Sequence, residues 1–360
     1  MKNQEVDIVD VVINFRIGKK KTYLDPDSRL NLARRNTSEI LTEEELRILL
    51  ETKANPVAYD GITVTGPFHM GYLIPFGKML DFEKAGIKNK ILVADVHSAM
   101  DDLKAPWEQL EKRSEYYQKC IELSFPWETT PEFIRGSEFQ YDKNYVKDLF
   151  KMATLATVAR STRAASEVTR MKNPKVSELV YPIMQALDEE YLGVDIQLGG
   201  IDQRHILAFA REYLPKIGYR PRVEIMTPLI LSLKGSGEKM SASIRESHIR
   251  VYDSEDQIKK KITNAYCPLG EVEDNPIIQL CQYVVFPIRG DMRIEREVKF
   301  GGDVAFENFQ DLQDSYLKKE LHPSDLKKAL ARELTDIFTR ARDYFSNNRD
   351  MLEELGEEFV

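Results

Sequence analysis

Residues 57–86 read VAYDGITVTGPFHMGYLIPFGKMLDFEKAG. A short apolar run suited to a buried strand leads into a loop carrying Gly61, Gly66 and Gly71, and then into a stretch with helical spacing. Strand, glycine loop and helix in that order form the repeating unit of a parallel α/β sheet. The alternation continues with KILVADVH at 90–97, EFIRGSEF at 132–139 and DIQLGG at 195–200, separated by helix-patterned segments such as YVKDLFKMATLATVA at 145–159. The fold class is therefore α/β with a mainly parallel sheet, which binds ligands beyond the carboxyl ends of its strands. Three glycine-bearing loops are placed to admit a nucleotide: Gly61 to Gly71, Gly199–Gly200, and Gly235–Gly237.

Outward from this centre the pattern changes at both ends. Residues 1–35 stand apart: VVINFRI and TYL flank GKKK as a small hairpin, DPDSR at 25–29 reads as a loop, and no chemistry is assigned to the segment. From Asn36 the pattern turns helical, with Thr42 and Glu45 at capping-box spacing in front of LRILL. Beyond about Tyr252 glycines thin out and amphipathic helices dominate, as in SEDQIKKKITNAY at 254–266 and HPSDLKKALARELTDIFTRARDYF at 322–345. A single core seldom grows past roughly 250–300 residues, so the chain divides into an extension (1–35), an α/β domain (36–250) and a mostly helical domain (251–360).

Composition narrows the setting. The hydrophobic fraction of 42% and charged fraction of 31% are ordinary for a globular chain. No stretch approaches the ~20 apolar residues of a membrane span, so no membrane partner is expected. The start MKNQEVDIVD has acids where a secretory signal would be basic and then apolar, which gives a cytoplasmic address. Cys120, Cys267 and Cys281 are odd in number and lack CxxC spacing, so they read as free thiols with no disulfide framework and no metal site. The net charge of −8 argues against a general nucleic-acid coat. Yet residues 147–175 hold seven basic side chains against two acids, which is either a solvated helix face or a local grip on RNA.

Two loops carry chemistry. In GPFHMGY at 66–72, His69 sits where strand gives way to helix and can point at phosphate, while Gly71 lets a nucleotide pack on the helix start. In GSGEKMSAS at 235–243, Lys239 supplies a cation and Ser241 and Ser243 supply hydroxyls. Closing on a triphosphate, such a loop stabilises charge developing at phosphorus without a general base. Each alone is equally an ordinary turn or surface loop. Together, at the two edges of a nucleotide fold, they are far more specific.

GPFHMGY resembles the HIGH signature and KMSAS the KMSKS signature of class I aminoacyl-tRNA synthetases. The text between is similar to the tyrosyl enzymes of archaeal and eukaryotic type. The carrying segments are AYDG (58–61), ILVADVHS (91–98), GSEFQ (136–140), NPKVSELVYPIMQALDEEYLGVDIQLGGIDQRH (173–205), KFGGD (299–303) and ELHPSDLKKA (320–329). The likeness runs from about Asn36 to about Tyr344. It implies a Rossmann-like catalytic domain followed by a helical anticodon-binding domain, ATP and Mg2+ as co-reactants, L-tyrosine and tRNA(Tyr) as partners, and a homodimer.

The resemblance also distributes roles. His69, Lys239, Ser241 and Ser243 become catalytic; Gly61, Gly66, Gly71, Tyr72, Gly199 and Gly200 contact ATP. Tyr59 and Asp188 meet the phenolic hydroxyl, and Tyr181, Gln185 and Gln203 hold the amino-acid end. His97 and Gln140 match the pocket wall. Tyr181, Gln185 and Asp188 also fall on one helical face by spacing alone, where an ordinary core would rarely choose these types. Arg160, Arg163 and Arg204 resemble residues facing the acceptor stem, and Phe300, His322 and Asp325 those that stack on and bond the first anticodon base.

Three departures touch only the nucleotide end. Tyr72 replaces the second signature histidine, Ala242 replaces a hydroxyl or amine residue, and ITVTGP stands where an EPSG-like stretch is usual. If ATP keeps the family's pose, Tyr72→His is expected to speed adenylate formation. A diverged paralogue activating tyrosine for another acceptor, and a catalytically impaired RNA-binding protein, are the alternative readings.

Overall fold

The computed structural model describes residues 24–166, 174–235, 240 and 247–360. The hairpin expected over 11–24 falls, apart from Leu24, outside the described residues, as do Lys239, Ser241 and Ser243. The centre is a six-stranded sheet of β1 (Glu39–Leu41), β2 (Val57–Ile62), β3 (Lys88–Val93), β4 (Glu132–Arg135), β5 (Ile196–Gly200) and β6 (Val223–Thr227), in the order β1-β6-β5-β2-β3-β4. Every neighbouring pair is parallel except β1 with β6. The chain builds outward from β2 through β3 to β4, and from β5 to β6, so β2 and β5 are neighbours where the winding reverses. A crevice opens at that switch point. There Tyr59 is in register with Gln197.

Helices cover both faces, which is why β6 is buried at all five positions and β5 at four. They are α1 (Pro26–Arg34), α2 (Glu43–Thr52), α3 (Leu73–Lys84), α4 (Asp95–Met100), α5 (Leu110–Ser124), α6 (Lys143–Ala153), α7 (Val158–Ala165), α8 (Val176–Tyr191) and α9 (Arg204–Tyr213). Helices Glu255–Asn264, Pro323–Ile337 and Thr339–Asn347 follow, with a two-stranded antiparallel ribbon of Met292–Ile294 and Val304–Phe306. One buried cluster runs from Ile91, Val93 and Leu198 of the sheet into Ile258, Ile262 and Leu330 of the C-terminal helices. Among the described residues no helix is long and apolar enough to cross a membrane.

The structure corrects three local readings. DPDSR is a helix start, because the Asp25 carboxylate accepts from the Ser28 N–H (3.0 Å) and Pro26 presets the first turn. Leu30 and Ala33 of α1 are buried, and the Arg29 guanidinium donates to the carbonyls of Leu50 (2.5 Å) and Ala85 (2.8 Å). The segment after Asn36 begins with β1; α2 starts only after its cap Thr42, whose hydroxyl accepts from the Glu45 N–H as its spacing implied. The run VEIMT, not singled out as a strand, is β6.

Candidate active site

A cavity of about 640 Å³ lies beyond the carboxyl ends of β2 and β5. It gathers twelve of the residues singled out from the sequence: Tyr59, Gly61, His69, Gly71, Tyr72, His97, Tyr181, Gln185, Asp188, Gly199, Gly200 and Gln203. Asp60, Thr65, Asp101, Lys104, Gln197, Asp202 and Thr227 also line it; none was assigned a role from the sequence, although Asp60, Thr65, Gln197 and Asp202 lie within quoted segments. Gln140 and Gly66 lie behind the lining. Gly66 offers its carbonyl to the Tyr117 hydroxyl at 2.7 Å, and Gln140 braces Asp188.

Helix α8 presents Tyr181, Gln185 and Asp188 along one face, as the spacing implied. Asp188 is fully buried. Its Oδ1 accepts from Gln140 Nε2 and from the Tyr145 hydroxyl, both at 2.8 Å, while its Oδ2 has no hydrogen-bond partner among the described residues. Burial pushes the carboxyl up to about 7, against the lowering effect of those two donors. His97 Nε2 lies 3.7 Å from Oδ2, an ion-pair distance, but burial pushes the imidazole down to about 4. The contact is therefore that of a neutral histidine. Tyr145 is a site residue that the sequence hid: on α6 it reads as one more aromatic on an apolar face, and only the fold brings it to Asp188.

Tyr59 is fully buried, with its hydroxyl 3.5 Å from the Gln185 carbonyl. Burial, then the neighbouring Glu189 and Asp188 carboxyls, hold the phenol well above its ordinary pKa, so it remains a donor. Gln185 Nε2 donates to Gln203 Oε1 at 3.3 Å, tying α8 to the turn after β5. A pocket whose inner wall carries Tyr59 and Asp188, and whose rim carries two glutamines, is polar at both ends of an apolar slot.

On the opposite side of the cavity His69 caps the short turn Met70–Tyr72, accepting from the Gly71 N–H at its Nδ1 (3.0 Å). Burial, and after it His248, press its pKa well below the ordinary value, so the ring is neutral with its proton on Nε2. It stacks on Tyr72 at 4.4 Å and leans on His248 at 4.9 Å. A Cβ on Gly71 would stand 2.7 Å from His69 Cε1, so the glycine is needed for the histidine as well as for a ligand. Among the described residues no group of three or more His, Cys, Asp or Glu could hold a metal ion. Cys120, Cys267 and Cys281 are free thiols.

The residues singled out for RNA lie apart from the cavity. Arg160 is paired with Glu212 (2.9 Å) over the Phe209 ring, Arg204 is bidentate on Glu39 (2.6 and 2.8 Å), and Arg163 is exposed on α7. Phe300 is 58% exposed with Lys299 over its ring. His322 caps helix Pro323–Ile337 by accepting from the Ser324 N–H, and Asp325 lies in that first turn.

This geometry has a match among known proteins. Residues 51–339 fit the family model of class I tRNA synthetases (W and Y), and the chain belongs to that family. Within it the similarity is to tyrosyl members. The chain is 41% identical to the tyrosine-tRNA ligase of Archaeoglobus fulgidus over 89% of its own length and 98% of the relative's. It is 39% identical to that of Haloarcula marismortui over 93% and 99%. The crystal structure of the Archaeoglobus fulgidus tyrosyl-tRNA synthetase with L-tyrosine superposes with a TM-score of 0.85 at 40% identity, covering 89% of this chain and 99% of that one.

Proposed function

We infer that the chain is a tyrosine-tRNA ligase, activating L-tyrosine with ATP and passing the tyrosyl group to the 3′ end of tRNA(Tyr). The observation that carries this reading is Asp188: a fully buried carboxyl at the cavity wall, braced on one oxygen and without a hydrogen-bond partner on the other among the described residues, is an acceptor suited to a phenol. In the first step the tyrosine carboxylate attacks the α-phosphorus of ATP, a P–O bond forms, and pyrophosphate leaves. In the second a ribose hydroxyl at the tRNA end takes the acyl group and AMP leaves. Magnesium enters with the triphosphate as part of the substrate. Tyr59 and Asp188 take the phenol, Tyr181, Gln185 and Gln203 the ammonium end, and His69 with the glycines at 61, 71, 199 and 200 the nucleotide. Lys239, Ser241 and Ser243 belong to the same reading by sequence. Positioning and electrostatics supply most of the rate.

The division at 36–250 and 251–360, with RNA read by Arg160, Arg163 and Arg204 and by Phe300, His322 and Asp325, completes the proposal. Phe150 and Val158 on α6 and α7 are 64% and 69% exposed, an apolar face suited to a second copy of the chain in a cytoplasmic homodimer. Tyrosine-dependent ATP–pyrophosphate exchange followed by charging of tRNA tests it. Comparable exchange with tryptophan would sink the reading, and exchange without charging would favour another acceptor.

A further inference from the structure

The loop from Val64 to Met70 carries Thr65 and His69 into the cavity, and its backbone is clasped from behind, in part by Ser98 and Tyr117 and in part by the groups that follow. Arg113 of α5 donates to the carbonyls of Thr65 (2.9 Å) and Val64 (3.4 Å). The Tyr116 hydroxyl accepts from the Phe68 N–H at 2.8 Å and donates to the Tyr252 hydroxyl at 3.0 Å. Residues 249–250 pair with the loop directly: the Met70 N–H donates to the Ile249 carbonyl at 2.9 Å, and His69 bridges Arg250 in antiparallel fashion.

The last three residues join all of these. Phe359 is fully buried, edge-on to Tyr116 at 5.3 Å and beneath the Arg113 guanidinium at 4.9 Å. Its carbonyl accepts from the Tyr252 hydroxyl (2.9 Å) and from Arg250 Nη1 (3.2 Å), which also reaches the Val360 oxygen at 2.9 Å. Glu358 lies 3.6 Å from Arg113. We propose that Glu358–Val360, anchored by Phe359, is a latch that positions the loop 64–70 for adenylate formation. A helix surface needs no such closure; here one aromatic ring and one carbonyl fix the orientation of the side chains that hold the loop. The departures from the family pattern, ITVTGP and Tyr72, fall on this same loop and its end. The tyrosine end is held by different parts, namely Gln140, Tyr145 and α8.

The inference rests on reading loop 64–70 as part of the nucleotide site. Phe359→Ala should raise the ATP KM or lower the exchange rate about tenfold or more, since small misplacements of positioned groups cost that much, while tyrosine affinity stays within about twofold. Phe359→Leu should restore part of the loss. Should the alanine variant not fold, Tyr252→Phe removes one hydroxyl from the clasp and carries the same test. Unchanged ATP parameters overturn the latch, as does a parallel loss of tyrosine affinity, ATP affinity and melting temperature. His69→Ala, run alongside, separates the two levels: if exchange survives it, the nucleotide-site reading fails; if it abolishes exchange while Phe359→Ala does nothing, only the latch fails.

Discussion

Nε2 of His97 stands 3.7 Å from Oδ2 of Asp188, and neither atom has a hydrogen-bond partner among the described residues. With Gln140 and Tyr145 both committed to Oδ1, the second oxygen is kept for something that enters the cavity. Asp188→Ala should raise the tyrosine requirement and shrink the preference over phenylalanine by about ten- to a hundredfold, the worth of a buried hydrogen bond at roughly 1–3 kcal/mol. Exchange kinetics with both amino acids measure the ratio, and an unchanged ratio removes Asp188 from the site. Because the carboxyl titrates at about 7, tyrosine affinity of the wild type should climb as pH rises through that value. Asp188→Asn should flatten the profile.

A second pair of carboxyls, Glu189 on α8 and Glu224 on β6, is fully buried with all four oxygens lacking hydrogen-bond partners among the described residues. Burial pushes both up, Glu189 to about 8, with Arg211 and Arg222 pulling the other way. A folded-state pKa above the unfolded value means that the folded chain keeps protons the unfolded chain would release. The resulting stability is full below about 4.5 and is lost as pH rises toward 8. Glu189→Gln should therefore leave melting little changed near about pH 5 and stabilise the protein near about pH 9, on the order of 2 kcal/mol. Parallel stability curves for the two proteins would show that the pair does not titrate in this range.

The helix cap made by His322 and its proposed reading of RNA can be separated. As the cap of helix Pro323–Ile337 its loss to alanine should cost about 0.5–2 kcal/mol of stability. As a reader of RNA its loss should weaken tRNA charging while leaving pyrophosphate exchange unchanged. His322→Asn keeps a capping side chain and should restore stability without restoring charging. A recovery of both assigns the residue to the helix alone.

Tyr72 is packed more tightly than its place in the motif suggests. Its ring lies 4.4 Å from His69, 5.4 Å from Phe68 and 6.2 Å from Tyr117. Tyr72→His removes part of that stack and leaves His69 less well held, so the packing favours slower adenylate formation over the gain that the family pattern alone implies, by about tenfold. Pre-steady-state adenylate formation in the two proteins decides between them.

The sheet was readable where buried strands carry glycine at or near their carboxyl ends, as in VAYDGI and IQLGG. The polar face of α8 was readable because Tyr, Gln and Asp at helical spacing contradict a plain core. What stayed hidden has physical reasons. Asp25 and Pro26 serve a turn and a helix start equally well, so α1 passed for a loop. β1 is three residues long and gains its strand character only from pairing with β6. Tyr145 and Arg113 look like ordinary helix positions until the fold delivers them to Asp188 and Thr65. Phe359 reaches Arg113 and Tyr116, which hold loop 64–70, across most of the chain, and no local pattern marks such contacts.

Arg160 and Arg204 do not wait in open solvent; each is already bonded to a carboxylate, Glu212 and Glu39. A phosphate reaching either guanidinium displaces that carboxylate, which is left beside the new anion. The swap releases fewer condensed cations per contact than docking on a bare arginine. RNA affinity should therefore fall with added salt less steeply than bare arginines at positions 160 and 204 would give. If these arginines take RNA as proposed, the paired carboxylates moderate how ionic strength governs capture and release.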